Sequence, residues 1–194
     1  MGVFMVVSDS DLVRVGGPAA GDWLAVVAAI YAEVYAEPLF ARHAFFHPAD
    51  FGPRYLRNVA QVGFELLVAH RHGVPIGCLY GSPLQPGTSW WDGVRWYAAA
   101  QGEVGPGFCN EDGNRTVVIT QLMVRTDARR SGVGCHLHDA FLAGRSERRA
   151  ALRVLPDNEP AKSAYRDWGW RPLGLLRPAE AAPVFECQLK ILTS

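Results

Sequence analysis

The chain has no stretch approaching the roughly 18 consecutive apolar residues of a membrane-spanning helix. Its first residues, MGVFMVVSDSDLV, lack the basic start and long apolar run of a secretion signal. No membrane partner and no processing are therefore expected. Charge of either sign is not in excess, since 19 lysines and arginines balance 19 aspartates and glutamates, and with no global field to attract a phosphate backbone no nucleic-acid partner is expected either. Cysteine is sparse. Cys78, Cys109, Cys135 and Cys187 form no CxxC pair and no dense framework, which fits reduced thiols in a cytoplasmic protein rather than a disulfide scaffold. There is no internal repeat and no low-complexity segment. What remains is 194 residues, 49% of them apolar, enough for a single domain over 1–194 with a sizeable core.

Hydrophobic periodicity marks the elements. Val3 to Val7 reads as a first strand, and Trp23, Val26, Val27, Ile30, Tyr31 and Val34 recur at helical spacing. A second helix is expected between Pro48 and Gln61. Phe64 to Ala69 and Pro75 to Tyr80 read as a hairpin joined at Arg71-His72-Gly73. Thr116 to Val124, TVVITQLMV, is a β-branched run suited to a strand covered on both faces, so it should lie centrally. Val133, Leu137, Ala140 and Phe141 form another helical stripe, and Ala151 to Leu155 a short strand. Ala161, Ala164, Tyr165 and Trp168 form a last helix, closed by Gly169. Trp170 to Leu176 and Pro183 to Ile191 end the chain as strands. The segment of about residues 83–115 is rich in glycine and aromatics and long for a passive connection, which marks it as a functional loop or an insertion.

The chemistry concentrates at Arg129 to Gly134, RRSGVG, between the central strand and the next helix. A loop entering a helix through Gly132 and Gly134 leaves several backbone N–H groups without intrahelical partners, all pointing toward the helix start. Such groups bind phosphate, and the glycines keep side chains out of its way. Arg129 and Arg130 add positive charge. The loop is not a Walker A element, because no GK[ST] follows, and Leu137 stands where a dinucleotide fingerprint has its third glycine. A diphosphate in another setting is the better ligand.

LMVRTDARRSGVG resembles motif A of the GNAT acyltransferases, [Arg/Gln]-x-x-Gly-x-[Gly/Ala] after a strand, with Arg129, Gly132 and Gly134 at the motif positions. Downstream, LPDNEPAKSAYRDWGW is similar to the family's second signature, matched by Asn158, Ala161, Tyr165, Gly169 and Trp170. The resemblance covers most of the chain. It implies an α/β (α+β) fold, a mixed central sheet of about six to seven strands flanked by about four helices, in keeping with the elements read above. It also implies that amides of Arg129, Arg130, Ser131, Gly132, Val133 and Gly134 hold the pyrophosphate of acetyl-coenzyme A, and that the backbone of Leu122, Met123 and Val124 pairs with the pantetheine arm.

By the same resemblance Asn158 hydrogen-bonds the pantetheine amides, and the Tyr165 hydroxyl lies near the departing sulfur as general acid. The two lie on one helical stripe roughly 10 Å apart. A phenol near pKa 10 can protonate a thiolate whose conjugate acid is near 8.5. Read on the residues alone, Asn158 or Asp157 is an N-cap and Tyr165 a core aromatic. Lys162, or one of Arg145, Arg148 and Arg149, could reach a 3′-phosphate.

The implied reaction is direct attack of a small-molecule primary amine on the thioester, with an amide near Met123 or Val124 facing the oxyanion and no metal. Many relatives carry a glutamate on the strand before motif A. Here that strand offers Thr120 and Gln121, so a base must come from Glu33, Glu37, His43, His47, Asp92, Glu111 or Asp112. Buried packing is the better reading of Cys135 and Cys78, and His136 and His138 share no metal-type spacing with other histidines. Trp90, Trp91, Trp96 and Tyr97 cluster around Asp92, and such a patch could contact an acceptor amine, pack as a lid on the core, or form a homodimer contact. Three alternatives stay open: a catalytically silent acyl-CoA-binding module, a protein N-terminal or lysine acetyltransferase, and an ATP-binding protein using the same loop.

Overall fold

The computed structural model describes residues 12–192, so Val3 to Val7, expected as a strand, lies outside the described residues. The strands are β1 (Leu12–Gly16), β2 (Glu65–Arg71), β3 (Val74–Pro83), β4 (Arg95–Trp96), β5 (Thr116–Val124), β6 (Arg149–Val154), β7 (Arg171–Leu176) and β8 (Phe185–Ile191). The α-helices are α1 (Leu24–Tyr35), α2 (Pro38–Ala41), α3 (Phe51–Val59), α4 (Val133–Leu142) and α5 (Glu159–Asp167). Eight strands and five helices among the described residues exceed the six to seven and four expected. The additions are short: β1 and β4 are edge strands of five and two residues, and α2 is a single turn begun by Pro38, too brief to leave a period in the sequence.

The described residues fall into two compact units. The first runs up to Arg42 and adds 46–82 and 120–145. Its ladder order is β1-β2-β3-β5, with β1–β2 and β2–β3 antiparallel. The β2–β3 turn is made by His72 at φ 52° and Gly73 at φ 77°, a left-handed pair whose twist suits a two-residue hairpin. Val27, Ile30 and Tyr31 of α1 and Phe51 and Tyr55 of α3 bury against Leu66, Val68, Cys78, Tyr80 and Met123. Gly77 permits the close approach of β3 to β5, since a Cβ there would stand 2.9 Å from the Met123 carbonyl oxygen.

The second unit holds 43–45, 83–119 and the chain from Ser146 onward. Its ladder order is β5-β6-β8-β7-β4. β5 and β6 run parallel over Thr116–Ile119 and Arg149–Leu152, and the other pairs are antiparallel. The long 83–115 segment is packed rather than free. Leu84, Trp91, Ala100 and Phe108 are buried with Val118, Ala151, Leu173, Cys187 and Leu189. A buried ion pair pins it: one Glu111 oxygen accepts from Arg149 Nη2 at 2.8 Å, Trp91 Nε1 at 2.8 Å and Thr116 Oγ1 at 2.9 Å. Arg149 also donates to the Phe108 carbonyl at 2.7 Å.

Glu111→Ala strands the Arg149 charge in the core, which costs about 3–5 kcal/mol. For a chain of this size that lowers the Tm by roughly 10 °C, checked by calorimetry and by Trp91 fluorescence. Burial pushes the Cys78 thiol up to about 12 and the Cys187 thiol up to about 11, and raises Tyr55, Tyr80 and Tyr165. The unfolded chain sheds these protons from roughly pH 9 upward while the folded chain keeps them, so stability is full below that pH and falls as pH rises. A Tm unchanged between about pH 8.5 and 11 contradicts this.

Candidate active site

The exit from β5 builds the cradle. After a 3-10 turn at Thr126–Ala128, Arg129 is extended, Arg130 is left-handed at φ 57°, and Gly132 is left-handed at φ 88° as the N-cap of α4. The amides of Arg130, Ser131, Gly132, Val133 and Gly134 donate to no group among the described residues. Nothing lies within 4 Å of where a Gly132 Cβ would stand. A ten-residue helix therefore presents its positive end and a run of free N–H groups to open space, which fits the oxygens of a diphosphate.

The side chains around the loop serve its shape. Arg129 does not face the cradle as free charge: its Nη2 is 2.6 Å from Glu37 Oε1, and its Nε donates to the Val124 carbonyl at 3.2 Å. Glu33 holds Arg125 at 2.7 Å and accepts from the Thr126 amide at 3.1 Å. These two glutamates, expected among the candidate bases, thus anchor the β5–α4 connection to the end of α1. Ser131 Oγ donates to the Ala128 carbonyl at 2.7 Å and accepts from Arg71 at 3.1 Å, and the Val133 side chain is buried, so both offer a ligand their amides. Arg130 is exposed and has no ion pair among the described residues.

The β5 ladder to β6 ends at Ile119. Leu122, Met123 and Val124 consequently have β3 on one edge and no ladder on the other among the described residues. The Met123 side chain is core, while Leu122 and Val124 are half-buried. Gln121 accepts a 2.7 Å hydrogen bond from the Tyr35 hydroxyl.

In the second unit α5 starts at Asn158, whose Oδ1 accepts from the Ala161 amide at 3.3 Å. The N-cap role is real, and it leaves Nδ2 without a partner among the described residues. The Tyr165 ring is 9% exposed and packs edgewise on Trp168 and at a tilt on Trp170, while its hydroxyl makes no hydrogen bond among the described residues. Burial pushes this phenol above its ordinary pKa, so it holds its proton throughout the neutral range. Lys162 Nζ lies 2.9 Å from the Pro156 carbonyl oxygen, 3.2 Å from Glu159 and 3.8 Å from Glu186. Arg149, expected as one reader of a 3′-phosphate, is instead committed to Glu111, and Arg145 stacks on Phe141 and bonds Glu65.

Other expected residues also find their places. Trp91 is 4% exposed with its N–H on Glu111, which makes it a core residue rather than a surface for an acceptor. Trp90 is half-buried beneath Arg153, 3.9 Å from its ring, and Asp92 is exposed. Glu111 is closed off by Arg149, Asp112 caps the Asn114 amide at 2.8 Å, and His47 Nδ1 accepts from the Ala49 amide. Cys135 Sγ lies 3.4 Å from Asp139, and burial and that carboxylate raise its thiol pKa, so it is no ready nucleophile. Glu186 and Gln188 of β8 are buried polar residues that the sequence reading passed over. Their only signal is the alternation in FECQL, which resembles a solvated strand face.

A mixed sheet whose central strand leads into a glycine-started helix with a free-amide cradle is the architecture of an acyl-CoA-dependent transferase. Residues 29–170 match the model of the acetyltransferase (GNAT) family, and the chain belongs to that family. No curated protein matches it by sequence. Among solved structures it is similar to a ribosomal-protein-alanine N-acetyltransferase from Brucella melitensis, with TM-score 0.59, 17% identity, and 93% of this chain and 99% of that one covered. It is likewise similar to an acetyltransferase from Thermus thermophilus, with TM-score 0.61, 14% identity and coverage of 94% and 99%. An aminoglycoside 6′-acetyltransferase type Ii gives TM-score 0.60, 13% identity and coverage of 94% and 97%. At these identities the likeness is one of fold.

Proposed function

We propose that this acetyltransferase moves the acetyl group of acetyl-CoA to the primary amine of a small molecule by direct attack, in the cytoplasm and as a single 1–194 domain. The observation that carries the donor assignment is the run of five unpaired amides from Arg130 to Gly134 at the start of α4. They hold the diphosphate, with Arg130 adding charge and Arg129 fixing the loop through Glu37. The unladdered edge of Leu122, Met123 and Val124 takes the pantetheine, and an amide there faces the oxyanion. Asn158 Nδ2 donates to a pantetheine carbonyl and Tyr165 protonates the leaving thiolate. Trp90 and Asp92 belong to the acceptor side.

The neutral net charge supports a small acceptor over a charged macromolecule. Structures of the same fold include enzymes named for a ribosomal-protein alanine and for an aminoglycoside, so the fold is compatible with either acceptor class. One feature favours a silent CoA-binding module instead: β5 offers Thr120 and Gln121 where a carboxylate is common, and Gln121 is engaged by Tyr35. Thiol release from acetyl-CoA over a panel of amines and peptides decides between them. Acetylated small amine with matching free CoA is expected; acetylated peptides alone would move the acceptor to protein, and CoA binding without turnover would leave the silent module.

A further inference from the structure

The reaction requires a proton acceptor, and Glu33, Glu37, Glu111 and Asp112 are each held by a partner: Arg125, Arg129, Arg149 and the Asn114 amide. β8 supplies another. Glu186 is 7% exposed, and all its partners lie in the second unit: Gln188 Nε2 donates to Oε1 at 2.8 Å, the Tyr97 hydroxyl donates to Oε2 at 3.3 Å, and Lys162 Nζ stands 3.8 Å from Oε2. The last two are long, and Lys162 divides its charge with Glu159. A buried carboxylate so loosely compensated is a strong acceptor for a further N–H donor. Beside it Gln188 is 4% exposed, and its Oε1 has no hydrogen-bond partner among the described residues. A buried oxygen without a donor, beside a buried carboxylate held by one long hydrogen bond and one distant ammonium, calls for an N–H-rich group. Lys162 stands three residues before Tyr165 on α5, so the same helical stripe touches Glu186 and carries the proposed acid.

We infer that Glu186 receives the proton of the acceptor ammonium, with the Gln188 oxygen as a second hydrogen-bond acceptor for that group and Tyr97 orienting the carboxylate. This rests on the amine-acetylation reading and names its missing base. An ammonium N–H passes its proton to Glu186, and the freed lone pair forms the bond to the acetyl carbon. As the adduct collapses, the C–S bond breaks, sulfur takes the Tyr165 proton, and the second amine proton restores the phenol. Glu186 returns its proton to solvent. Tyr97, which comes from the 83–115 segment, gives that segment a part in the chemistry without exposing its tryptophans.

The test compares Glu186→Gln with the parent chain on alkylamines, protonated near neutral pH, and on arylamines, already neutral there. Alkylamine kcat/KM is expected to fall about 100-fold while arylamine kcat/KM falls less than about 3-fold and acetyl-CoA affinity holds. Tyr97→Phe, at a partly exposed position, should show the same selectivity with a loss of about 5-fold, and it serves where the buried variant folds poorly. Alkylamine turnover within about 3-fold of the parent, or equal loss on both amine classes with CoA affinity intact, overturns the assignment to Glu186 while leaving acetyl transfer in place. A parent chain that acetylates no amine overturns the transfer itself, and this inference with it.

Discussion

Gly132→Asp is expected to weaken acetyl-CoA binding by about 100-fold or more, because a carboxylate set among the amides proposed to hold the diphosphate opposes it by several kcal/mol. The position is open, with nothing within 4 Å of a Cβ there, so the loss comes from charge in the cradle and not from a clash with the protein. The companion Gly132→Ala separates the two effects. Alanine at φ 88° strains the backbone by about 1–2 kcal/mol and lowers stability, yet adds no charge. Its CoA affinity should therefore fall far less than that of the aspartate variant. Calorimetric titration of both proteins reads the difference, and equal affinities for parent and Gly132→Asp would place the donor elsewhere.

Tyr165→Phe should reduce kcat by about 100-fold while leaving acetyl-CoA affinity and Tm near those of the parent. The ring is already packed on Trp168 and Trp170, and phenylalanine preserves that packing, whereas the hydroxyl has no partner among the described residues whose loss would destabilise the fold. The raised phenol pKa also sets an expectation for pH. Tyr165 stays protonated up to at least the ordinary tyrosine value of about 10, so an alkaline fall in kcat below that pH must come from another group. Tyr165→Phe should accordingly keep the parent's profile at a lower level. A variant with parental kcat removes the phenol from the chemistry.

The features legible in the sequence are those fixed by short-range chemistry. The passage from strand to helix at RRSGVG is legible because a glycine before an amphipathic helix and a β-branched run behind it are local signals. The same holds for the hairpin at His72-Gly73 and for α5 between Asn158 and Gly169. What failed depended on partners distant along the chain. Arg129 reads as phosphate-facing charge until Glu37 appears beside it, and Arg149 reads as a candidate for the 3′-phosphate until Glu111 and Phe108 enclose it. The tryptophans after Ser89 fit a binding patch, a lid on the core or a dimer contact equally, because burial is not written in a glycine-rich segment, and Trp91 takes the place in the core. β1 and β4 were missed because an edge strand of a few residues carries too little alternation. Glu186 and Gln188 escaped for the opposite reason: their alternation is clear, but it is the pattern of a wet face, and α5 with Tyr97 covers it.

The amides from Arg130 to Gly134 are proposed to hold the diphosphate of coenzyme A. Calorimetric titration of the parent chain with coenzyme A and with ATP under identical conditions tests it most directly. Saturable one-to-one binding of coenzyme A that Gly132→Asp removes, with ATP bound more weakly, is the predicted result. Tighter binding of ATP, or coenzyme A binding that survives Gly132→Asp unchanged, would contradict it.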